Sequence, residues 1–183
     1  RHMPLKSLFI AATGLILTGC ATLPSQDTSR VEPIVVAAEP EAAQAGMDVL
    51  KRGGTAADAA VAVQTVLGLV EPQSSGLGGG AFLLYYDAKT GKISDYNGRE
   101  TAPVAATPDL FMGADGKPLA FKDAVVSGRA TGVPGAMFLL DQAQKDHGNQ
   151  DWASLFTPAA ALADNGFTVT KRLGNYLQNA DFA

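Results

Sequence analysis

The sequence predicts a mixed α/β fold, and three patterns support this class. Residues 56–70 are almost wholly apolar and mostly small, which predicts a helix that is buried on every side. Residues 81–86 and 92–96 have the pattern of two short strands joined by a turn at 87–91, which predicts an antiparallel hairpin. Further segments bounded by helix-capping residues lie before and after the hairpin. A helix that is apolar on all sides must be packed against other elements on all sides, which is most natural in a layered α/β fold.

The composition indicates a folded core and excludes several classes of function. Of the 183 residues, 46% are hydrophobic and 17% are charged, which excludes a wholly disordered chain. The net charge of −4 and the 7% of aromatic residues give no support for binding nucleic acid. The single Cys excludes an intrachain disulfide framework and a Cys-based metal site, and 2 His are too few for a His-rich one.

The first residues have the features of an export signal. We interpret residues 1–2 as a cloning remnant and residues 3–19 as a signal peptide, since Lys6 precedes an apolar run from Leu8 to Leu17 and small residues follow. The run is too short to cross a bilayer, which takes about 20 apolar residues.

Cys20 is the candidate lipidation residue. Residues 17–20, Leu-Thr-Gly-Cys, resemble the bacterial lipobox, in which cleavage precedes the Cys and its thiol receives the lipid. The alternative is a plain signal peptide with an incidental Cys. Ala21 follows in place of Asp, which favours the outer membrane, so the expected location is the periplasm with a lipid anchor in that membrane. Residues 20–33 are polar and turn-rich, which predicts a flexible tether to a folded part at 34–183.

Local signals predict the elements of the folded part in order. The β-branched run 34–38 predicts a first strand, and a helix from Pro40 to residues 51–52 is stopped by two glycines. Thr55 predicts an N-cap with Asp58 in a capping-box arrangement, and Pro72 ends the long apolar helix. After the hairpin we expect an irregular stretch and then three helices. The first spans 136–145 and is ended by Gly148. The second spans 159–165, with Thr157 as N-cap, Pro158 as first residue and Gly166 after its end, and the third begins at Lys171.

Three candidate chemical groups have simpler structural explanations. Residues 76–81 fit G-x-G-x-x-A, but the order helix, loop, strand is the reverse of the order in a dinucleotide site, so we expect a tight backbone passage. His147 stands at a helix end, where an imidazole usually stays solvated, and no partner for a Ser-His-Asp triad is evident. Ser74 and Ser75 are expected to be turn hydroxyls.

Arg99 is the candidate ligand-binding residue. It follows the second predicted strand and a glycine, in the segment Asn97-Gly98-Arg99-Glu100. An Arg in this position can present its planar fork to a carboxylate through two parallel hydrogen bonds. Spacing alone supports equally well an ordinary surface Arg paired with Glu100 or Asp95.

Four segments together are similar to one known family. They are residues 45–62, 71–82 (Glu-Pro-Gln-Ser-Ser-Gly-Leu-Gly-Gly-Gly-Ala-Phe), 98–103 (Gly-Arg-Glu-Thr-Ala-Pro) and 132–135 (Gly-Val-Pro-Gly). Each is weak alone, but the ordered set is specific. From about residue 36 to residue 183 the chain resembles the N-terminal part of the large subunit of the γ-glutamyltransferase (glutathione hydrolase) family.

The resemblance implies a fold, a reaction and a binding residue. The fold would be a portion of the αββα sandwich of N-terminal-nucleophile hydrolases. The enzyme would act on glutathione and other γ-glutamyl amides through a threonine acyl-enzyme, after the precursor cleaves itself. By the family's Arg-Glu-x-Ala-Pro motif, Arg99 would bind the α-carboxylate of the γ-glutamyl group. The family needs no cofactor and no metal, so none is expected.

Two departures from the family pattern leave alternatives open. No Thr-Thr pair occurs in the sequence, so the resemblance implies an incomplete large subunit without a catalytic residue, inactive without the small subunit of the same precursor. Gly98 precedes Arg99 at a position where many members of the family have an aromatic residue. With this glycine the sequence resembles the cephalosporin-acylase-like relatives, which act on glutaryl amides. The alternatives are therefore an acylase-like amidase of the same fold and a non-catalytic envelope lipoprotein.

Overall fold

The computed structural model describes residues 32–179, which contain six α-helices and two β-strands. The predicted signal peptide, the lipidation residue Cys20 and the tether as far as residue 31 lie outside the described residues. The mixture of helices and strands agrees with the predicted fold class. In chain order the elements are α1 (Pro40–Lys51), α2 (Ala56–Val70), β1 (Ala81–Asp87), β2 (Lys92–Gly98), α3 (Phe121–Val125), α4 (Ala136–His147), α5 (Thr157–Asn165) and α6 (Lys171–Asn179).

Helix α2 forms the centre of the core. It begins with the predicted capping box: the Asp58 N–H donates to Thr55 Oγ1 (3.2 Å) and the Thr55 N–H donates to Asp58 Oδ2 (2.9 Å). Every residue from Ala57 to Val70 is buried or half-buried, as the uniform apolar pattern predicts. Helices α1, α4 and α5 pack around α2. No helix within residues 32–179 is long and apolar enough to cross a membrane.

The hairpin presents one covered and one uncovered face. Strands β1 and β2 pair antiparallel with Ala81 opposite Gly98, so β2 extends two residues beyond the predicted end. Successive side chains of β1 alternate between half-buried and exposed. Helix α4 packs against the hairpin. On the uncovered face of the hairpin, four large apolar side chains are between 63% and 74% exposed: Phe82, Leu84, Tyr86 and Ile93.

Two local predictions are wrong. Residues 34–37 form no strand, and Ile34 and Val36 are largely exposed. A β-branched run adopts a strand only beside a partner, and no described segment pairs with this one. Thr157 is not an N-cap, because the 3₁₀ turn Ala153–Phe156 runs directly into α5 and makes Thr157 its first residue. The closing Gly166 is as predicted, with a positive φ of 82°.

Candidate functional site

Three glycine-containing segments, far apart in sequence, meet at the end of β2. They are the loop 76–80, residues 98–101 at the end of β2 and just after it, and residues 132–136 leading into α4. The backbone N–H groups of Gly135 and Ala136 both donate to the Gly79 carbonyl, at 3.1 Å each. Thr101 and Val133 form an isolated antiparallel bridge, with N···O distances of 3.3 and 2.8 Å. The structure thus brings together three of the four segments on which the family resemblance rests.

The close approach of these segments depends on glycine at two positions. A Cβ at Gly135 would collide with the Gly98 carbonyl oxygen. A Cβ at Gly98 would lie 2.5 Å from the Leu139 Cβ on α4. Only residues without a side chain allow β2, the segment after it and α4 to approach this closely.

Arg99 lies at the point where these segments meet, and its side chain is 65% exposed. Its backbone N–H donates to Asn97 Oδ1 at 3.0 Å, which fixes the turn that follows the strand. Its Nη1 lies 3.0 Å from Glu100 Oε1, so the ion pair considered from sequence is present. A guanidinium carries five N–H donors, so this pair and an additional carboxylate can share it.

Glu100 covers the glycine-rich loop, a contact that the sequence did not indicate. Its side chain is 34% exposed. It lies so close over Gly80 that a Cβ there would collide with the carboxylate. The Glu100 side chain also lies against Gly132, since a Cβ at Gly132 would be 3.3 Å from Glu100 Cγ. Glu100 therefore links Arg99 to the loop 76–80 and to the segment that precedes α4.

Ser74 and Ser75 form the first turn of the glycine-rich loop, as predicted. Both backbone N–H groups donate to the Glu71 carbonyl, at 3.1 and 2.9 Å. The Ser74 hydroxyl donates to Glu71 Oε2 (2.9 Å), and the Ser75 Oγ accepts from Gln64 Nε2 (2.8 Å). A cavity of about 410 Å³ opens beside this loop. A larger cavity of about 620 Å³ lies between α1 and α5 and is lined by none of the residues at the end of β2.

His147 differs from the sequence expectation of a solvated imidazole. It is half-buried, stacks on the Tyr85 ring at 3.9 Å between centroids, and its Nε2 lies 2.8 Å from the Tyr96 hydroxyl. That hydroxyl also donates to Asp146 Oδ2 at 2.8 Å. His147 ends α4, roughly 16 Å along the helix axis from Ala136. It fastens α4 to the hairpin and takes no part in the arrangement around Arg99.

Metal ligation finds no support in the part of the chain that the structure describes. Residues 32–179 contain no group of three or more His, Cys, Asp or Glu side chains that could hold a metal ion. The candidate site is instead a backbone framework with one guanidinium and one carboxylate at its surface.

Comparison with known proteins gives one consistent family. The model of the family described as Gamma-glutamyltranspeptidase matches residues 42–182. The glutathione hydrolase proenzyme of Bacillus subtilis (strain 168) is 42% identical over 146 residues, which are 80% of this chain and 25% of that protein. The chain therefore spans about a quarter of the length of this relative.

Solved structures agree with the sequence matches. The γ-glutamyltranspeptidase of Pseudomonas nitroreducens, complexed with L-DON, superposes with a TM-score of 0.76 at 34% identity, over 82% of this chain and 44% of that one. The cephalosporin acylase of Bacillus halodurans gives a TM-score of 0.69 at 34% identity, over 82% and 28%. These likenesses confirm the predicted fold class, a portion of the αββα sandwich of N-terminal-nucleophile hydrolases.

Proposed function

The chain belongs to the γ-glutamyltranspeptidase family, and we propose that it forms the N-terminal part of the large subunit of an enzyme that hydrolyses or transfers γ-glutamyl groups. Glutathione is the proposed substrate, since several similar proteins are glutathione hydrolases. The chain does not supply the nucleophile in this proposal.

The observation that carries the proposal is the meeting of three motif segments at Arg99. The loop 76–80 and the segment 132–136 fix the backbone beside Arg99, while its side chain stays 65% exposed. An exposed guanidinium on a rigid backbone can form two parallel hydrogen bonds to a carboxylate with little loss of conformational entropy. Arg99 is therefore proposed to bind the α-carboxylate of the γ-glutamyl group, with Glu100 orienting the guanidinium.

The proposed chemistry is acyl transfer through a threonine. The hydroxyl of an N-terminal Thr attacks the γ-glutamyl carbonyl and its own α-amine takes the proton. The α-amine then passes this proton to the nitrogen of the breaking amide bond, and the amine product leaves the acyl-enzyme. Water then releases glutamate, or an amino acid or peptide takes over the acyl group. No Thr-Thr pair occurs within the 183 residues, so the nucleophile is assigned to the small subunit of the same precursor. The name of the Bacillus subtilis relative, a proenzyme, is in keeping with such a precursor.

The likeness to a cephalosporin acylase favours a second candidate function, the hydrolysis of glutaryl amides. A glutaryl and a γ-glutamyl group both carry a carboxylate that Arg99 can bind, but only the γ-glutamyl group has an α-ammonium. Arg99 alone therefore does not distinguish the two substrates. The distinction depends on an acidic or polar group that receives the ammonium.

A paired assay of the full-length protein tests both functions. We expect release of p-nitroaniline from γ-glutamyl-p-nitroanilide, and no comparable release from the glutaryl analogue. Turnover of the glutaryl analogue alone would establish the acylase-like function instead. A protein that turns over neither compound and has no exposed N-terminal Thr by mass spectrometry would be the non-catalytic lipoprotein.

We also propose that Cys20 carries a lipid that anchors the protein in the outer membrane, facing the periplasm. The lipobox-like residues 17–20 and the polar segment up to residue 33 support this. Several acyl chains together give stable anchoring, because each buried methylene contributes about 0.8 kcal/mol. Metabolic labelling with an alkyne fatty acid should mark the wild-type protein and fail to mark Cys20→Ala. A label that persists in Cys20→Ala would exclude the assignment.

A further inference from the structure

A cavity of about 410 Å³ beside the glycine-rich loop is left unused by the proposed binding of the γ-glutamyl carboxylate. It is lined by Gln64 on α2 and by residues 72–76 and 79–80. Among the described residues, its lining contains no charged side chain. An isolated ion would therefore lack a counter-charge there, whereas a neutral polar group can be bound through hydrogen bonds.

Two side chains of the lining offer a hydrogen-bond acceptor and a donor. Gln64 Nε2 donates to Ser75 Oγ at 2.8 Å, and neither side chain makes another hydrogen bond within the described residues. The Gln64 amide therefore keeps its carbonyl oxygen as an acceptor, and the Ser75 hydroxyl keeps its own proton as a donor. Both side chains are half-buried, so each fixes the position of the other. An acceptor and a donor side by side are complementary to the N–H and the C=O of a peptide.

The loop that lines the cavity is held at both of its ends. At its start, the backbone N–H groups of Ser74 and Ser75 donate to the Glu71 carbonyl. At its end, the Gly79 carbonyl accepts from two N–H groups at the start of α4. Between these points, a Cβ at Gly76 would meet nothing within 4 Å, so the space beside this residue is open. The cavity thus exists before a ligand enters, which reduces the entropy that is lost on binding.

Gly80 joins the cavity to the site at Arg99. It lines the cavity and lies against the backbone on both sides of Arg99, since a Cβ at Gly80 would be 2.9 Å from the Gly98 carbonyl oxygen and 2.5 Å from the Glu100 nitrogen. A γ-glutamyl group spans roughly 5 Å from its α-carboxylate to its amide bond, the length of one to two residues of extended chain. A substrate whose carboxylate is bound by Arg99 can therefore extend beyond its amide bond into the cavity.

We propose that this cavity binds the peptide part of the substrate, which lies beyond the γ-glutamyl amide bond. The inference rests on the proposed function, because the cavity adjoins the site assigned to the γ-glutamyl group. In glutathione this part is cysteinylglycine, whose peptide N–H donates to Gln64 Oε1 and whose C=O accepts from the Ser75 hydroxyl. Transfer to a peptide is the reverse of the step that forms the acyl-enzyme, so the acceptor peptide occupies the same cavity.

Two substrates distinguish the cavity from the site at Arg99. Glutathione carries a peptide beyond the γ-glutamyl amide, whereas γ-glutamyl-p-nitroanilide carries an aromatic amine without a peptide group. Gln64→Met in the full-length protein removes the acceptor and keeps the size of the side chain. It should raise the KM for glutathione relative to that for γ-glutamyl-p-nitroanilide about fivefold, the effect of one lost hydrogen bond. Gln142→Met removes a half-buried amide that does not line the cavity, and it should leave this ratio unchanged.

Binding of a peptide can also be measured without turnover. Glycylglycine in excess should slow the hydrogen exchange of residues 73–80 in the full-length protein. Gly76→Leu places a side chain in the cavity and should abolish this protection. Gly78→Leu introduces the same side chain into the same loop, where a Cβ would also meet nothing within 4 Å, but Gly78 does not line the cavity. The protection should therefore persist in Gly78→Leu.

The two measurements separate the cavity from the proposed function. Protection by glycylglycine in a protein that turns over neither substrate would support the peptide-binding cavity and overturn the proposed function. Turnover of γ-glutamyl-p-nitroanilide without protection of the wild type would support the function and overturn the peptide-binding cavity. An equal KM ratio in the wild type and in Gln64→Met would also overturn it, as would protection that persists in Gly76→Leu.

Discussion

The backbone N–H of Asn149 donates to Asp58 Oδ2 at 3.0 Å, across 91 positions of sequence. The same carboxylate accepts hydrogen bonds from the N–H and the hydroxyl of Thr55, and from the Gln144 amide at 3.1 Å. Asp58 is 0% exposed. One buried carboxylate therefore closes the first turn of α2 and holds the segment that follows α4 against it.

Asp58→Asn should lower the free energy of unfolding by about 3 kcal/mol. The substitution keeps the shape but replaces one acceptor oxygen by a donor, which then faces N–H groups that donate to the carboxylate in the wild type. Urea unfolding of the chain measures the loss. Asp48→Asn is a matched control, because Asp48 is exposed on α1 and its carboxylate accepts from the exposed Gln44 amide, so its effect should stay within about 0.5 kcal/mol.

The stabilisation from Asp58 should be lost in acid. Burial acts to raise the pKa of Asp58, but hydrogen bonds from Thr55, Asn149 and Gln144 outweigh it and hold the pKa below the ordinary value of 3.8. A lowered pKa stabilises the fold above the ordinary value, and this contribution disappears as the pH falls through the value in the folded state. The difference in unfolding free energy between the wild type and Asp58→Asn should be constant above about pH 5 and shrink below 3.8. A difference that does not change down to about pH 2 would contradict this account.

Gly135→Ala should destabilise the chain by about 2 kcal/mol, because the new methyl group meets the Gly98 carbonyl, which is backbone and cannot move aside cheaply. Thermal unfolding gives the size of the effect. Gly128→Ala is the control, since a Cβ at Gly128 would meet nothing within 4 Å. Similar losses from both substitutions would show that the close approach of Gly135 to Gly98 is not responsible.

Arg99→Lys should raise KM for γ-glutamyl-p-nitroanilide about tenfold or more in the full-length enzyme, with a smaller change in kcat. A lysine keeps the charge but loses the two parallel hydrogen bonds, a loss of roughly 1.5–3 kcal/mol in substrate binding. Steady-state kinetics separate the two constants. Arg52→Lys, at an exposed position after α1, should leave both unchanged. An unaltered KM in Arg99→Lys would remove Arg99 from the substrate site.

Elements that are determined by local interactions are predictable from the sequence. The capping box of Thr55 and Asp58 spans three residues, so its pattern alone predicts the start of α2. The strand predicted at 34–38 is wrong because a strand depends on a distant partner that the pattern does not specify. The expectation for His147 is wrong for a related reason, since Tyr85 and Tyr96 are brought to it only when α4 packs on the hairpin.

In the candidate site, too, the local features are predictable from the sequence and the long-range contacts are not. The placement of Arg99 after a strand and its pairing with Glu100 follow from adjacent residues. The contact of Gly135 and Ala136 with Gly79 joins positions more than fifty residues apart and has no local signature. The family resemblance linked these segments in order along the chain, but their meeting in space is a property of the fold.

Helix α4 is fastened at both of its ends to the β-structure. At its start, Gly79, just before β1, accepts from Gly135 and Ala136, and at its end His147 contacts Tyr96 of β2. Because β1 and β2 are paired in a fixed register, α4 and the hairpin form one rigid unit that is connected at both ends of the helix. The hairpin cannot swing relative to α4 without breaking one of the two fastenings. The backbone from which the Arg99 side chain projects is consequently held in place before any ligand binds.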